Sequence, residues 1–254
     1  MHTIAVWTVK GGVGKTAAAV NLAHAAASSG TRTLLWDLDP QGATSFYLRA
    51  LPELPGGVQT VLDRDLDLRQ FVQASEFDNL FLLPADFSYR HLDLALDAGR
   101  KPRKLLAKRL RPLAVEYDLV MIDCPPSVSL VSEAVLRAAD AVLVPVIPTT
   151  LSMRTLEQVR EFAATAGKHR PLVMPFLSMV DRRKWMHLDT SERCLADDSF
   201  LRTPIPSASV VERMGLTRAP VAATLPSQPA ARAFGELWRE IAERLHIGPR
   251  QHGR

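Results

Sequence analysis

Apolar residues along this chain come in short unbroken runs separated by longer mixed stretches. The runs fall at residues 3–9, 33–36, 80–83, 119–122, 141–147 and 172–177. Continuous runs, unlike alternating ones, suit strands that are covered on both faces. Between them, residues 15–29 are alanine-rich and stop at Gly30, residues 130–138 have helical character, and a further helix is expected from about Leu151. The rhythm of strand and helix predicts an α/β fold: a doubly wound, mostly parallel sheet with helices on both faces. No internal repeat or low-complexity linker interrupts it. Residues 1–247 are therefore expected to form a single domain, and residues 248–254 a frayed tail.

Composition narrows the classes. Of the 254 residues, 47% are hydrophobic and 23% charged, which is globular composition and long enough for a large core without staples. The two cysteines, Cys124 and Cys194, are far apart with no metal or disulfide spacing, which fits a reducing cytoplasm. No basic segment followed by a long apolar stretch opens the chain, so no signal peptide is expected. No apolar run is long enough to span a membrane. A net charge of +4 permits a polyanionic partner without requiring one.

The chemistry starts where the first strand ends. Lys10-Gly11-Gly12-Val13-Gly14-Lys15-Thr16 stands between an apolar run and an alanine-rich helix. Glycines let successive amides turn inward around phosphate oxygens, and the following helix adds its positive N-terminal end. In such a loop the second lysine, Lys15, reaches the β and γ phosphates of ATP and the Thr16 hydroxyl ligates magnesium. Two further strands end in acid. Asp37 and Asp39 are two residues apart, so they lie on one side of an extended chain, at the end of a strand that faces the ligand crevice of an open sheet. Asp123 closes the run at 119–122, where a carboxylate can hold magnesium through water.

Lys10, opening the loop, is the mark of the deviant Walker A group, and the chain resembles the ParA/MinD ATPases, in particular the small Soj-like ParA partition type. The resemblance implies that residues 10–17, from Lys10 through Gly11, Gly12, Val13, Gly14, Lys15 and Thr16 to Ala17, bind ATP. Lys10 would cross a dimer interface to a partner's nucleotide, making it catalytic alongside Lys15. Asp39 would position the attacking water and join the metal site, with Asp37 supporting the magnesium shell. Cys124-Pro125-Pro126-Ser127 resembles the family's switch segment. Thr203-Pro204-Ile205-Pro206 resembles its adenine-packing element, which implies base contacts from Pro206 and Ser207. Hydrolysis of ATP is expected to be slow, because one carboxylate activates water weakly.

The resemblance covers nearly the whole chain and corresponds to the form without an N-terminal helix-turn-helix domain. It implies an ATP-bound homodimer, a ParB-like or cargo-adaptor partner that stimulates hydrolysis, non-specific DNA binding, and a cytoplasmic, nucleoid-associated location. The sequence departs from the pattern at Val210, where relatives carry a DNA-binding arginine; Arg213 and Arg218 stand nearby instead. Two basic clusters are alternative DNA contacts. The first comprises Arg100, Lys101, Arg103, Lys104, Lys108, Arg109 and Arg111; the second Arg182, Arg183, Lys184, Trp185 and His187. The competing readings are a solvated helix face for the first and a loop whose tryptophan packs back on the core for the second. A MinD-like membrane role would need a free amphipathic C-terminal helix. Phe234, Leu237, Trp238, Ile241 and Leu245 have helical spacing, but are expected to pack on the sheet. A metabolic ligase of the same fold would need a second catalytic constellation, which the sequence does not display. An iron–sulfur relative would need cysteines placed at a dimer axis.

Overall fold

A computed structural model describes residues 1–51, 54–63, 65–99, 101–167 and 170–248. Seven strands form one sheet: β1 (His2–Val6), β2 (Thr33–Asp37), β3 (Gln73–Ala74), β4 (Leu80–Leu83), β5 (Leu119–Asp123), β6 (Ala141–Val146) and β7 (Leu172–Leu177). Their order across the sheet is β3-β4-β2-β5-β1-β6-β7. All neighbours are parallel except the edge pair β3–β4, which is antiparallel. The apolar runs are legible because β2, β5 and β6 are buried at every position. The two-residue β3 has no such run and is invisible to a hydrophobic pattern.

Alternating residues of the sheet feed two cores. Ala5, Trp7, Leu34 and Trp36 face one, with α3 (Leu130–Ala138) and α4 (Thr150–Ala164) supplying residues such as Val135 and Leu156. Ile4, Val6 and Leu35 face the other, covered by α1 (Lys15–Ser28) and by α6 (Pro229–Leu245). Alanines on α1 let that helix sit close to the strands and leave room for the bulky face of α6. Phe234, Leu237, Trp238 and Ile241 are buried there, and Trp238 Nε1 donates to Ser29 Oγ at 3.1 Å. The expected C-terminal packing is therefore present, and the apolar stripe of α6 is already covered. Among the described residues no helix is long and apolar enough to cross a membrane. Gly30 takes φ of 88°, the left-handed conformation expected of a glycine stop.

Element ends moved modestly. The run at 3–9 yields a strand ending at Val6, because the chain then leaves the sheet to form the glycine loop. Only Gly248 of the expected tail lies within the described residues, and Arg100 of the first basic cluster lies outside them.

The basic clusters change most. Arg109 is buried and donates to the carbonyls of Leu66 and Thr60, while Arg103 pairs with Glu133. Arg109 is therefore not free to meet a polyanion, whereas Arg103 stays exposed in its ion pair. In the second cluster the tryptophan does not pack back: Trp185, at the start of α5 (Trp185–Leu195), is 76% exposed. His187 is the buried member, accepting from the Asp181 amide through Nδ1, and Arg183 is paired with Asp181.

Removing Leu237 tests the second core. Leu237→Ala should lower unfolding free energy in urea by about 3 kcal/mol, the usual cost of emptying a packed leucine site. A loss under about 1 kcal/mol would mean that α6 is not integral to the core.

Candidate functional site

The carboxyl ends of β1, β2, β5 and β7 meet at one edge, because parallel pairing sets Val6 and Asp37 both opposite Asp123. The glycine loop leaves β1 here. Gly12 and Gly14 have φ of 70° and 89°, conformations that side-chain-bearing residues rarely adopt. Gly14 is the N-cap of α1 and supplies no capping side chain, so the first amides of the helix have no side-chain partner. An anion is their natural complement.

Lys15 is buried at the centre of the loop, its ammonium donating to the Lys10 carbonyl at 3.0 Å. Burial pushes its pKa down, opposed by the carboxylates of Asp123 and Asp39. Thr16, on the same turn, is half-buried. Lys10 itself is half-buried, and its ammonium forms no salt bridge among the described residues.

The three acids differ in their surroundings. Asp123 is buried; its Oδ2 accepts from the Thr44 hydroxyl at 2.8 Å, and its Oδ1 is enclosed without a geometric hydrogen-bond partner among the described residues. Burial raises its pKa, against the hydroxyls of Thr44 and Thr16. Asp37 is fully buried, and its pKa is likewise raised by burial and then by Asp123. Its oxygens accept from the Asp39 amide at 3.2 Å and from the amide and hydroxyl of Ser45, each at 2.8 Å. The Asp37 oxygens thus face protein donors from the Asp39 turn and from Ser45. Asp39 is half-buried, with Oδ1 accepting from the Gln41 amide at 2.9 Å.

Magnesium prefers few protein oxygens, several waters and substrate phosphates. The unsatisfied Oδ1 of Asp123 and the neighbouring Thr16 hydroxyl fit that preference. Among the described residues there is no cluster of three acidic, histidine or cysteine side chains that would hold an ion unaided.

A cavity of about 230 Å³ adjoins the loop, lined by Gly12, Gly14, Met179, Pro206, Ser207 and Phe234 among others. The two residues expected at the base, Pro206 and Ser207, thus share one cavity with the phosphate loop, and Ala17 also lines it. A larger space of about 440 Å³ lies against Pro206, lined by Arg182, Pro204, Arg232 and Glu236, but no loop glycine lines it. The smaller cavity is the one joined to the chemistry. Val210, in the turn Ser209–Glu212, packs against the second core, and Arg218 lies over the Phe46 ring.

Sequence reasoning missed Thr44, Ser45 and Ser178. Each carried a usable signal. Thr44 and Ser45 open α2 (Ala43–Tyr47), directly after the Asp39 turn. Ser178 is the first polar residue after the apolar run of β7, the same signal that marked Asp37 and Asp123. Cys124 and Cys194 are both buried free thiols.

Comparison with known proteins finds a family and a fold for the chain. A family model described as an AAA domain matches residues 1–172. The chain is 38% identical over 159 residues to the chromosome partitioning protein ParA of Myxococcus xanthus, covering 61% of this chain and 56% of that protein. It is 29% identical over 246 residues to the sporulation initiation inhibitor protein Soj of Bacillus subtilis, covering 94% and 97%. Among solved structures, a cobyrinic acid a,c-diamide synthase from Mycobacterium smegmatis with bound ADP and magnesium aligns with a TM-score of 0.80 at 26% identity, over 97% of this chain and 96% of that one. A plasmid partition protein from Borrelia burgdorferi aligns with a TM-score of 0.78 at 18% identity, over 96% and 98%, a likeness of fold alone.

The loop assignment has a direct test. Lys15→Ala should abolish ATP binding by calorimetry while the protein remains folded; retained tight affinity would remove Lys15 from the site.

Proposed function

The chain belongs to the ParA/MinD family of P-loop ATPases, and on that premise we propose that it is a dimerisation switch, closed by ATP, that partitions or positions a cargo over the nucleoid. The observation that carries this reading is Lys10. It opens the phosphate loop, lies beside the buried Lys15, and has no acidic partner of its own among the described residues. A cation left unpaired at the mouth of an anion site is well placed to meet the phosphates of a nucleotide held by a second copy.

In this reading the loop amides and Lys15 bind the ATP phosphates, and Pro206 and Ser207 pack on the base. Thr16 and Asp123 hold magnesium, which when bound neutralises charge building on the phosphate oxygens. Asp39, held by its bonds within the turn, orients water. Asp37 keeps that turn in place through Ser45. A single half-exposed carboxylate is a modest catalyst, so turnover is slow until a ParB-like or adaptor partner completes the site.

DNA is the surface ligand this reading favours. Arg182 and Lys184 are exposed and form no salt bridge among the described residues, and Trp185 projects beside them. Cations with an exposed aromatic suit sequence-blind contact with a nucleic acid. In the first cluster Lys101, Lys104, Lys108 and Arg111 are exposed, as is Arg103 in its pair with Glu133. The membrane-associated alternative would need a free amphipathic face, and the apolar face of α6 lies in the second core. The cargo is a plasmid, a chromosome region or a protein assembly.

Two measurements test the switch. Lys10→Ala should remain monomeric by size-exclusion chromatography with a non-hydrolysable ATP analogue, under conditions where the unmodified chain dimerises; equal dimerisation would sink the role of Lys10. Non-specific DNA binding should require ATP and fall with salt, and Lys184→Glu should lower the salt slope by about 1. Binding indifferent to nucleotide, or absent at low salt, would defeat the nucleoid reading.

A further inference from the structure

We infer that Ser178 is a positioning residue of the nucleotide site: its hydroxyl holds the Val13–Gly14 peptide so that the Gly14 amide faces into the phosphate loop. The inference rests on the reading of this loop as an ATP site. Ser178 follows β7, two strands away from β1, and makes no part of the loop itself. Its Oγ donates to the Val13 carbonyl at 2.9 Å, and both residues are buried.

The consequence follows from peptide geometry. In a trans peptide the carbonyl of one residue and the N–H of the next point in opposite directions. Fixing the Val13 carbonyl outward on Ser178 therefore fixes the Gly14 N–H inward. Reversal of that plane would remove one donor from the anion site and aim a carbonyl dipole at the phosphates, a like-charge arrangement. The plane needs holding, because it turns on ψ of Val13 and φ of Gly14, and glycine offers little steric resistance to such a turn.

Ser178 is a firm anchor. Its amide donates to the Val146 carbonyl at 2.8 Å, continuing the β6–β7 ladder. A Cβ on Gly14 would stand 3.1 Å from its hydroxyl, so the loop is pressed close against it. The chain then runs directly to Met179, which lines the base cavity, and to Val180, whose amide donates to Ile205 at 3.0 Å. Ser178 thus ties the phosphate end of the site to its base end through one side chain.

The test compares Ser178→Ala, Ser178→Cys and Ser178→Thr with the unmodified chain, measuring ATP and ADP affinity by calorimetry, steady-state ATPase kinetics, and melting without nucleotide. Alanine and cysteine remove or weaken the donor with little change in bulk; threonine retains it. The expected result is about tenfold weaker ATP and ADP binding for alanine and cysteine, the scale of one buried hydrogen bond. Their KM should rise by a similar factor with kcat at saturation unchanged, and threonine should restore affinity to within about threefold. Loss of packing alone would instead lower kcat through a smaller folded fraction. Alanine or cysteine binding within twofold of the unmodified chain would overturn the inference, as would threonine failing equally. Should the unmodified chain bind no ATP, the ATP reading and this inference fall together. If it binds ATP and the variants match it, the Ser178 inference alone fails.

Discussion

Charge held out of water at the carboxyl edge of the sheet is the constraint around which this site is organised. Lys15, Asp37 and Asp123 are all buried there, where an unpaired charge is costly. Each is met by a donor or acceptor supplied from another element: the Lys10 carbonyl for Lys15, Ser45 for Asp37, Thr44 for Asp123. Burial lowers the pKa of the lysine and raises those of the two acids. All three shifts oppose charge in the free protein. A phosphate and its metal would reverse that balance, so ligand binding and the local electrostatics are coupled.

The same bonds connect parts of the chain that are distant in sequence. Thr44 and Ser45, on neighbouring positions of α2, reach β5 and β2 respectively, and the Ser45 hydroxyl also accepts from the Ala85 amide at 2.9 Å. Trp7 Nε1 donates to the Ser127 carbonyl at 3.1 Å, fastening the Pro125-Pro126-Ser127 segment to the end of β1. A chain of hydrogen bonds thus runs from Asp123 through Thr44 and Ser45 to Asp37 and the Asp39 amide. On the exterior, by contrast, Trp185 is 76% exposed, one of several large apolar side chains outside the two cores.

Much of this could be read from sequence. The β strands at 80–83 and 172–177 coincide with Leu80–Leu83 and Leu172–Leu177, because each is largely buried and carries an uninterrupted apolar run. The glycine loop, Lys15, Thr16 and the acids that close β2 and β5 were legible because each is a local pattern: a loop between strand and helix, or a polar residue ending an apolar run. The C-terminal stripe was legible through helical spacing, and its packing inward agreed with the acidic residues that interrupt its other face.

Tertiary structure decided what no local pattern contains. Arg109 and Lys108 are adjacent and chemically alike, yet one is buried on two carbonyls and the other meets water, because helix phase turns only one toward the residue 60–66 segment. Asp37 and Asp39 are two residues apart, yet Ser45 encloses one while the other stands at the mouth. Ser178 meets the Val13 carbonyl across 165 positions of chain. The sequence by itself marked the six strands with apolar runs, the glycine loop and the acids that close β2 and β5, since those depend on composition within a few positions. Which face each side chain meets, and what holds it there, depends on parallel strand register and helix phase, and these are set only when the whole sheet closes on its two cores.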